Sequence, residues 1–365
     1  MDTRGVLVSQ NIRTLIERGN ISSVVRIEDT QIQNSSLDMT LSDQYFELDA
    51  AFLPRPGEKV RDLMRELGAK SGNLSSGVIF ERRKVYVVPL NERLSLPPGL
   101  LAEANPKSST GRTDTFVRLL ANGHQNFDKV PRLYEGELYA MIVPHSFNIR
   151  VSPGISLNQL KIIKGSPKII DRDLSNIMYR NHLLYGPNNI PLSYDDIILN
   201  NGIVMRVLLE EGGVYYKAKE TNKVLDMTRN GANRMADFWD KRIIVDGSIV
   251  LEPDEFYLLG TYERLKLSPD LVAKVEAIDV DIGEFRGHYA GWVDAGRGYG
   301  EQGDGKGLDL TMEVRHFGTP FVMRNKQLLS RLVFEMVLQT PDRLYGVGSH
   351  YATSNGVTPG KYFSD

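Results

Sequence analysis

The sequence predicts two tandem copies of a mainly β domain, a barrel or sandwich with a few short helices. Three observations favour this fold class: a length of 365 residues, an internal repeat, and short apolar runs separated by Pro, Gly and Asn clusters. At about 150 residues per domain, the length suits two domains. The repeat predicts that they span residues 1–171 and 172–365.

The repeat has a constant offset of 171 residues. Aligning Tyr86–Ala102 with Tyr257–Ala273 gives eight identities in seventeen positions, whereas unrelated stretches of this composition would give about one. The same offset places Met141–His145 over Met312–His316, so that His145 aligns with His316. Because the offset recurs beyond a divergent middle segment, we interpret it as a tandem duplication.

Strands and helices follow from the spacing of apolar residues. Two stretches with apolar residues at helical spacing, Val8–Arg18 and Val60–Leu67, predict helices. Short apolar or alternating runs predict strands; they are Val85–Leu90, Leu138–Val143, Phe256–Leu259, Leu308–Val314 and Leu332–Val337.

Composition excludes several classes of protein. The 44 basic and 46 acidic residues nearly cancel, so we expect no broad basic surface for a nucleic acid polymer. The chain has no cysteine, which excludes disulfides, thiolate nucleophiles and cysteine-bearing zinc sites, and which suits the cytoplasm. The six histidines lack metal-ligand spacing, and we find neither a signal peptide nor an apolar run long enough for a membrane span.

A candidate phosphate site lies in the first half. Asn105–Arg112 follows a predicted strand and combines a lysine, three hydroxyls, a glycine and an arginine. Hydroxyls and backbone N–H groups donate to phosphate oxygens, glycine permits close approach, and arginine binds in a bidentate manner. Clusters of Ser, Thr and Gly also form ordinary turns, so composition alone leaves both interpretations open.

These residues resemble a known family. Lys107–Arg112 resembles the Arg-Ser-Ser-x-x-Arg phosphate motif of the dCTP deaminase branch of the dUTPase-like superfamily, and Gln33–Leu41 is similar to an upstream strand of that family. Phe127–Asp128 and Tyr134–Gly136 fall where the family has its Ile-Asp-Pro-Gly-Trp-x-Gly hairpin. The resemblance implies two dUTPase-like domains.

The resemblance also implies a catalytic glutamate in an apolar strand. Glu313 occupies that position in the second half, and the 171-residue offset places Ile142 there in the first half. From the residues alone, an outward-facing strand carboxylate is the alternative. We call Lys107–Arg112 the phosphate cradle. At the equivalent position the second half has Asp279–Gly283, which would repel phosphate. The first half thus has a cradle without a base, and the second a base without a cradle.

The second half also carries the nucleoside hairpin of the family. Trp292–Gly300 resembles it, although Trp292 replaces an arginine, and the segment from Arg343 onward resembles the family's closing tail. The implied substrate-binding residues of this half are Ala290, Trp292, Asp294, Thr311, Tyr345, His350 and Ser354.

The resemblance implies hydrolytic deamination of dCTP to dUTP and ammonia without zinc, with Glu313, Arg112 and Ser108 as catalytic residues. Mg²⁺ is expected to bind through the triphosphate, and the partners expected are dCTP and further copies of this chain, with composite sites between domains. The remaining cradle residues implied to hold the triphosphate are Lys107, Ser109, Thr110 and Gly111.

Two alternatives stay open. The first is a dUTP diphosphatase or a bifunctional enzyme, because Val293–Glu301 also resembles the hairpin of that enzyme, whose aspartate orients water toward the α-phosphate. The second is a non-catalytic nucleotide-binding protein, because many family positions are altered.

Overall fold

The fold is mainly β, as the sequence predicts. The computed structural model describes residues 4–277, 285–287, 291–343, 345 and 356–364. Both helices predicted from the sequence, Val8–Arg18 and Val60–Leu67, are confirmed as α1 and α2. Among the described residues the α-helices are α1 (Ser9–Glu17), α2 (Val60–Glu66), α3 (Ser108–Gly111) and α4 (Asp171–Arg180).

Short strands make up most of the first half. Both apolar runs predicted as strands here lie in strands, namely β7 and β11 below. The strands are β1 (Gly5–Val6), β2 (Ile21–Ser23), β3 (Leu37–Thr40), β4 (Gln44–Leu48), β5 (Lys70–Asn73), β6 (Val78–Phe80), β7 (Val85–Ser95), β8 (Leu100–Pro106), β9 (Thr115–Ala121), β10 (Lys129–Val130), β11 (Glu135–Pro144), β12 (Asn148–Val151) and β13 (Ser156–Lys164).

The second half has the same character. Its three predicted runs coincide with β21, β26 and β28, although β26 begins three residues later than the run Leu308–Val314. Its described strands are β14 (Leu184–Tyr185), β15 (Ile203–Leu208), β16 (Val214–Ala218), β17 (Val224–Asp226), β18 (Asn233–Arg234), β19 (Trp239–Ile243), β20 (Ser248–Leu251), β21 (Phe256–Thr261), β22 (Arg264–Leu265), β23 (Leu271–Glu276), β24 (Phe285–Gly287), β25 (Trp292–Val293), β26 (Thr311–His316), β27 (Phe321–Arg324), β28 (Leu328–Met336) and β29 (Phe363–Ser364).

The sheets of the two halves are built alike. In the first half, one sheet has the order β1-β13-β8-β10 and a second has the order β5-β4-β7-β11-β9. Strand β8 alternates strictly between buried and half-buried residues, as expected when one face of a strand packs on a core and the other does not. In the second half, β21 pairs with β26, and β23 pairs with β25 and β28, which repeats the pairings of β7 with β11 and of β8 with β10 and β13.

One apolar core contains residues of both halves. Trp239 lies 5.6 Å from Phe147 and 6.1 Å from Phe256, measured between ring centroids. Phe363 approaches Trp239 at 6.1 Å. These side chains complete the first-half core that holds Val88 and its neighbours. The segment that contains Phe238 and Trp239 therefore joins the halves by burying aromatic surface.

A strand of the second half extends a sheet of the first. Strand β17 pairs in parallel with β12, which pairs in turn with β6. The corresponding hairpin of the second half, β20 with β27, has no third strand among the described residues. An added strand satisfies the backbone groups of a sheet edge, so β17 fixes the second half to the first by main-chain hydrogen bonds.

Candidate active site between the halves

The predicted phosphate cradle begins with a single helical turn. Helix α3 follows β8 directly, and the N–H of Lys107 donates to the carbonyl of Leu157 at 3.0 Å. Ser109, Thr110 and Gly111 are buried, whereas Lys107 and Ser108 are half-buried. The turn is thus anchored to β13, and its first residues lie at the surface of the first half.

The arginine of the cradle contacts the far end of the chain. Arg112 is 5% exposed, and its guanidinium donates to the carbonyl of Thr358 at 3.0 Å and to the hydroxyl of Thr358 at 2.7 Å. The same C-terminal segment crosses the second half, because a Cβ on Gly260 would lie 3.2 Å from Val357. The segment therefore lies between the cradle and the strand β21.

Charged side chains surround the start of the cradle. The ammonium of Lys107 donates to the carboxylate of Asp38. Burial raises the pKa of Asp38, and the charge of Lys107 opposes this. Burial lowers the pKa of Lys361, and the nearby charge of Lys107 lowers it further.

Lys361 lies near Lys107 of the predicted cradle, and the sequence did not indicate this. It is 254 residues from Lys107 in the chain, and an isolated lysine in a C-terminal segment carries no local signal of a binding site.

The hairpin of the second half lies against the sheet that leads into the cradle. The N–H of Gly291 donates to the side-chain carbonyl of Asn105 at 2.8 Å. The hydroxyl of Ser35 donates to Asp294 at 3.2 Å. The ammonium of Lys161 lies 4.5 Å from the centroid of the Trp292 ring. The structure thus brings Trp292 and Asp294 to the first-half sheet that ends at Lys107.

Asp294 is held in an unfavourable electrostatic environment. Removal from water raises the pKa of Asp294, the hydrogen bond from Ser35 opposes this, and the negative charge of Asp38 adds to the increase. Two carboxylates and two lysines, Lys107 and Lys361, therefore share this part of the interface.

Glu313 is 1% exposed and lies in the middle of β26. Its neighbours Met312 and Val314 point into the core of the second half. Since side chains alternate along a strand, Glu313 and Arg315 share the opposite face. Opposite Glu313 is Leu258, which belongs to the core that both halves share. Glu313 therefore faces the first half.

The pairing of strands corrects the predicted equivalent of Glu313. Val87 pairs with Met141 in the first half, and Leu258 pairs with Glu313 in the second. Val87 and Leu258 are equivalent at the offset of 171, so the counterpart of Glu313 is Met141. The assignment to Ile142 was wrong by one residue, because the chain between the paired strands is one residue longer in the second half.

The same correction removes the predicted equivalence of His145 and His316. Strand β11 ends at Pro144 and β26 ends at His316, so these two terminal residues correspond.

The hairpin of the first half is also shifted from its predicted position. Ala102 pairs with Val130, and its counterpart Ala273 pairs with Val293. The residue after Val130 is Pro131, whereas the residue after Val293 is Asp294. The placement of Phe127–Asp128 at the Ile-Asp position was therefore wrong, and the first half lacks the aspartate as well as the glutamate.

Other predicted residues are placed differently. Thr311 shares the face of Glu313 on β26 and is half-buried. The hydroxyl of Tyr345 accepts a hydrogen bond from Arg297, so the observed partner of Tyr345 belongs to the hairpin segment and not to the cradle. Ala290, His350 and Ser354 lie outside the described residues.

Metal sites and membrane-spanning helices can be looked for among the described residues. Within them, no three His, Asp or Glu side chains converge as a metal site would require, and the expected route of Mg²⁺, through the triphosphate, stays a prediction. No helix in the described part of the chain is long and apolar enough to cross a bilayer.

The mainly β fold, with equivalent strand pairings in its two halves, places the chain in the dUTPase-like class of proteins. Comparison with known families narrows this class to one family. The model of the 2'-deoxycytidine 5'-triphosphate deaminase (DCD) N-terminal domain matches residues 3–166, and that of the DCD C-terminal domain matches residues 178–363. The chain belongs to the dCTP deaminase family.

Similar proteins agree with this assignment. The crystal structure of 2'-deoxycytidine 5'-triphosphate deaminase from Agrobacterium tumefaciens superposes with a TM-score of 0.84 at 33% identity, covering 92% of this chain and 99% of that one. A dCTP deaminase from Haloarcula marismortui is 29% identical over 141 residues, 37% of this chain and 68% of that one. A "dCTP deaminase, dUMP-forming" from Methanothermobacter thermautotrophicus is 30% identical over 106 residues, 28% and 49% of the two chains.

Proposed function

We propose that the chain deaminates dCTP hydrolytically to dUTP and ammonia, in one composite site between its halves. One observation carries the proposal: Glu313 points from the second half toward the first. Arg315, on the same face, reaches Asp114, two residues after Arg112 of the cradle. This ion pair supports a composite site, because it joins the strand of the proposed base to the chain just after the proposed cradle.

Glu313 is the general base of the proposed reaction. Its carboxylate takes a proton from a water molecule as the oxygen bonds to C4 of the cytosine ring. The carboxylate passes this proton to N3, where it stays in the product. It then moves the remaining proton from the new C4 hydroxyl to the exocyclic amine, so that the C4–N bond breaks, the C4 carbonyl forms and ammonia leaves. A buried carboxylate such as Glu313, 1% exposed, suits this role, because a site closed to bulk water strengthens the interactions within it.

The first half holds the triphosphate. Ser108, Ser109 and Arg112 donate to its oxygens, Lys107 and Lys361 add positive charge, and Gly111 and Thr110 shape the turn. Arg112 must exchange its contact with Thr358 for phosphate oxygens. Mg²⁺ bound to the triphosphate would neutralise part of its charge. Because the chain has no cysteine, we propose a reaction without zinc, in a cytoplasmic enzyme.

The second half holds the nucleoside. We place the deoxyribose and base against Asp294, Trp292 and the backbone near Ala290, with Thr311 beside Glu313. Tyr345, His350 and Ser354 of the tail complete the proposed binding set.

Product analysis tests this proposal. Purified protein is incubated with dCTP, CTP, dCMP and dUTP, each with and without Mg²⁺, and ammonia, pyrophosphate and nucleotides are measured. We expect ammonia and dUTP from dCTP. Ammonia together with pyrophosphate and dUMP would instead indicate the bifunctional alternative, which the dUMP-forming relative favours. Pyrophosphate from dUTP alone would indicate a diphosphatase, and binding without turnover a nucleotide-binding protein.

The number of sites provides a second test. The first half lacks both the glutamate and the aspartate, so we expect one nucleotide per chain in calorimetric titration with a non-hydrolysable dCTP analogue. Two equal sites per chain would contradict a composite site. We also propose a homo-oligomer, which the molar mass measured by light scattering tests directly.

A further inference from the structure

A buried ion pair joins the two halves beside the proposed site. The guanidinium of Arg315 donates to the carboxylate of Asp114, with side chains 10% and 0% exposed. It also donates to the hydroxyl of Ser146 at 3.3 Å and to the carbonyl of Asp254. Asp114 and Ser146 belong to the first half and Asp254 to the second, so the guanidinium binds both halves at once.

Asp114 lies two residues after Arg112, the last residue of the cradle. Its N–H donates to the carbonyl of Gly111, the last residue of α3, at 2.9 Å, and its carbonyl accepts from the N–H of His145 at 3.0 Å. Its φ of 54° lies in the left-handed region, which residues other than glycine, asparagine and aspartate seldom adopt. The short backbone path from Arg112 to Asp114 is therefore rigidly held.

Arg315 lies two residues from the proposed base, as Asp114 lies two residues from Arg112. It is two residues from Glu313 on one strand, so both side chains leave β26 on the same face. Because the guanidinium of Arg315 is bound to the first half, the position and orientation of Glu313 relative to the cradle are set as well.

We infer that Asp114 and Arg315 are positioning residues for deamination, which together set the distance between the phosphate cradle and the catalytic strand. This inference rests on the proposed function. A substrate held by its triphosphate in one half and attacked by a water bound in the other is sensitive to how the halves are docked. A displacement of about 1 Å at a reacting centre can lower the rate by about 100-fold.

The test uses D114N, R315K and the double variant D114N/R315M. Asparagine tolerates the left-handed backbone of residue 114, and the double variant avoids an unpaired buried charge, which would itself destabilise the protein. We expect kcat for ammonia release from dCTP to fall by about 10- to 100-fold in D114N and in the double variant. KM should change by less than about threefold, because neither variant removes a group proposed to touch substrate. R315K, which keeps the charge, should be intermediate.

A control separates positioning from general stability. E103Q weakens a different contact between the halves, the ion pair of Glu103 with Lys274 at 3.5 Å, and should leave kcat unchanged. If Asp114 and Arg315 only stabilise the fold, the double variant will show the kcat of the unaltered protein wherever circular dichroism shows it folded; this result would overturn the inference alone. Absence of ammonia release from the unaltered protein would overturn the proposed function and this inference together.

Discussion

The same sheet face has opposite uses in the two halves. In the first half, the face of β7 and β11 that carries Val87 and Met141 is covered by Val60 and Met64 of α2, and it forms a small apolar core. In the second half, the equivalent face of β21 and β26 carries Leu258, Glu313 and Arg315 and meets the other half of the molecule.

What covers this face decides which chemistry it can support. A carboxylate under the apolar face of α2 would lie among apolar side chains, a space that methionine fills well. Against the first half, where Asp114 and the cradle supply polar and charged groups, a glutamate can be retained. The difference teaches that α2 closes the position that serves as the proposed catalytic centre in the other half.

The largest expected effect comes from replacing the base. E313Q should lower kcat for ammonia release by about 100- to 10,000-fold, the range contributed by general base catalysis, while nucleotide binding persists. Steady-state kinetics and calorimetry measure the two quantities. M141L, at the equivalent position of the first half, is the matched control and should not change kcat. Ammonia release by E313Q at the normal rate would remove Glu313 from the mechanism.

A glutamate on the face that α2 covers should destabilise the folded protein. Met141 is 1% exposed, so M141E buries a charge without a partner and should lower the free energy of unfolding by about 3 to 5 kcal/mol at pH 7. At pH 4 the loss should shrink, because the new carboxyl is protonated. Urea denaturation at both pH values measures this, with M141L expected to lose less than about 1.5 kcal/mol. Equal stability of M141E and M141L would mean that α2 does not seal this face.

One buried carboxyl of the first half should make the stability of the protein depend on pH. Burial raises the pKa of Asp128 to about 6, against the attraction of Arg118. Because the folded protein then binds a proton more tightly than the unfolded chain, this group stabilises least above pH 6 and progressively more as pH falls toward 4. D128N should remove this dependence, about 3 kcal/mol from a shift of about two pKa units. The free energy of unfolding is measured between pH 4 and 7 for the unaltered protein and for D128N. The same dependence on pH in both proteins would contradict this prediction.

A smaller effect should follow from the hydrogen bond that the first half gives to Asp294. S35A removes the hydroxyl that lies 3.2 Å from this carboxylate, which should raise KM for dCTP by about fivefold, equivalent to about 1 kcal/mol. S36A removes a hydrogen bond to Gln159 within the first half and should leave KM unchanged. Equal effects of the two variants would show that Ser35 does not act through Asp294.

Local patterns in the sequence predict much of this fold. The identities between Tyr86–Ala102 and Tyr257–Ala273 fall on strands with equivalent pairings, so the repeat is visible where loops are of equal length. The cradle follows β8 as its composition indicates. The equivalence of Ile142 with Glu313 failed because the offset was carried across loops of unequal length, where only hydrogen-bond register shows which residues correspond.

The remaining features of the site depend on contacts between distant residues. Asp114 and Arg315 are 201 positions apart, and Lys361 comes near Lys107 only through the path of the C-terminal segment. Neither the periodicity nor the spacing of residues in the sequence predicts such contacts. The function of α2 as a cover was equally invisible, because an amphipathic helix shows which face is apolar and not what it packs against.

The aromatic core that joins the halves also has a consequence for synthesis in the cell. Phe147 finds its partners Phe238 and Trp239 only after the middle of the second half has been made, and Trp239 finds Phe363 later still. At ribosomal rates of about 5 to 20 residues per second, Phe147 would wait about 5 to 20 seconds for Trp239 to be made, with this apolar surface open to water. During that interval the nascent chain exposes apolar surface, which favours aggregation and which chaperones in general protect.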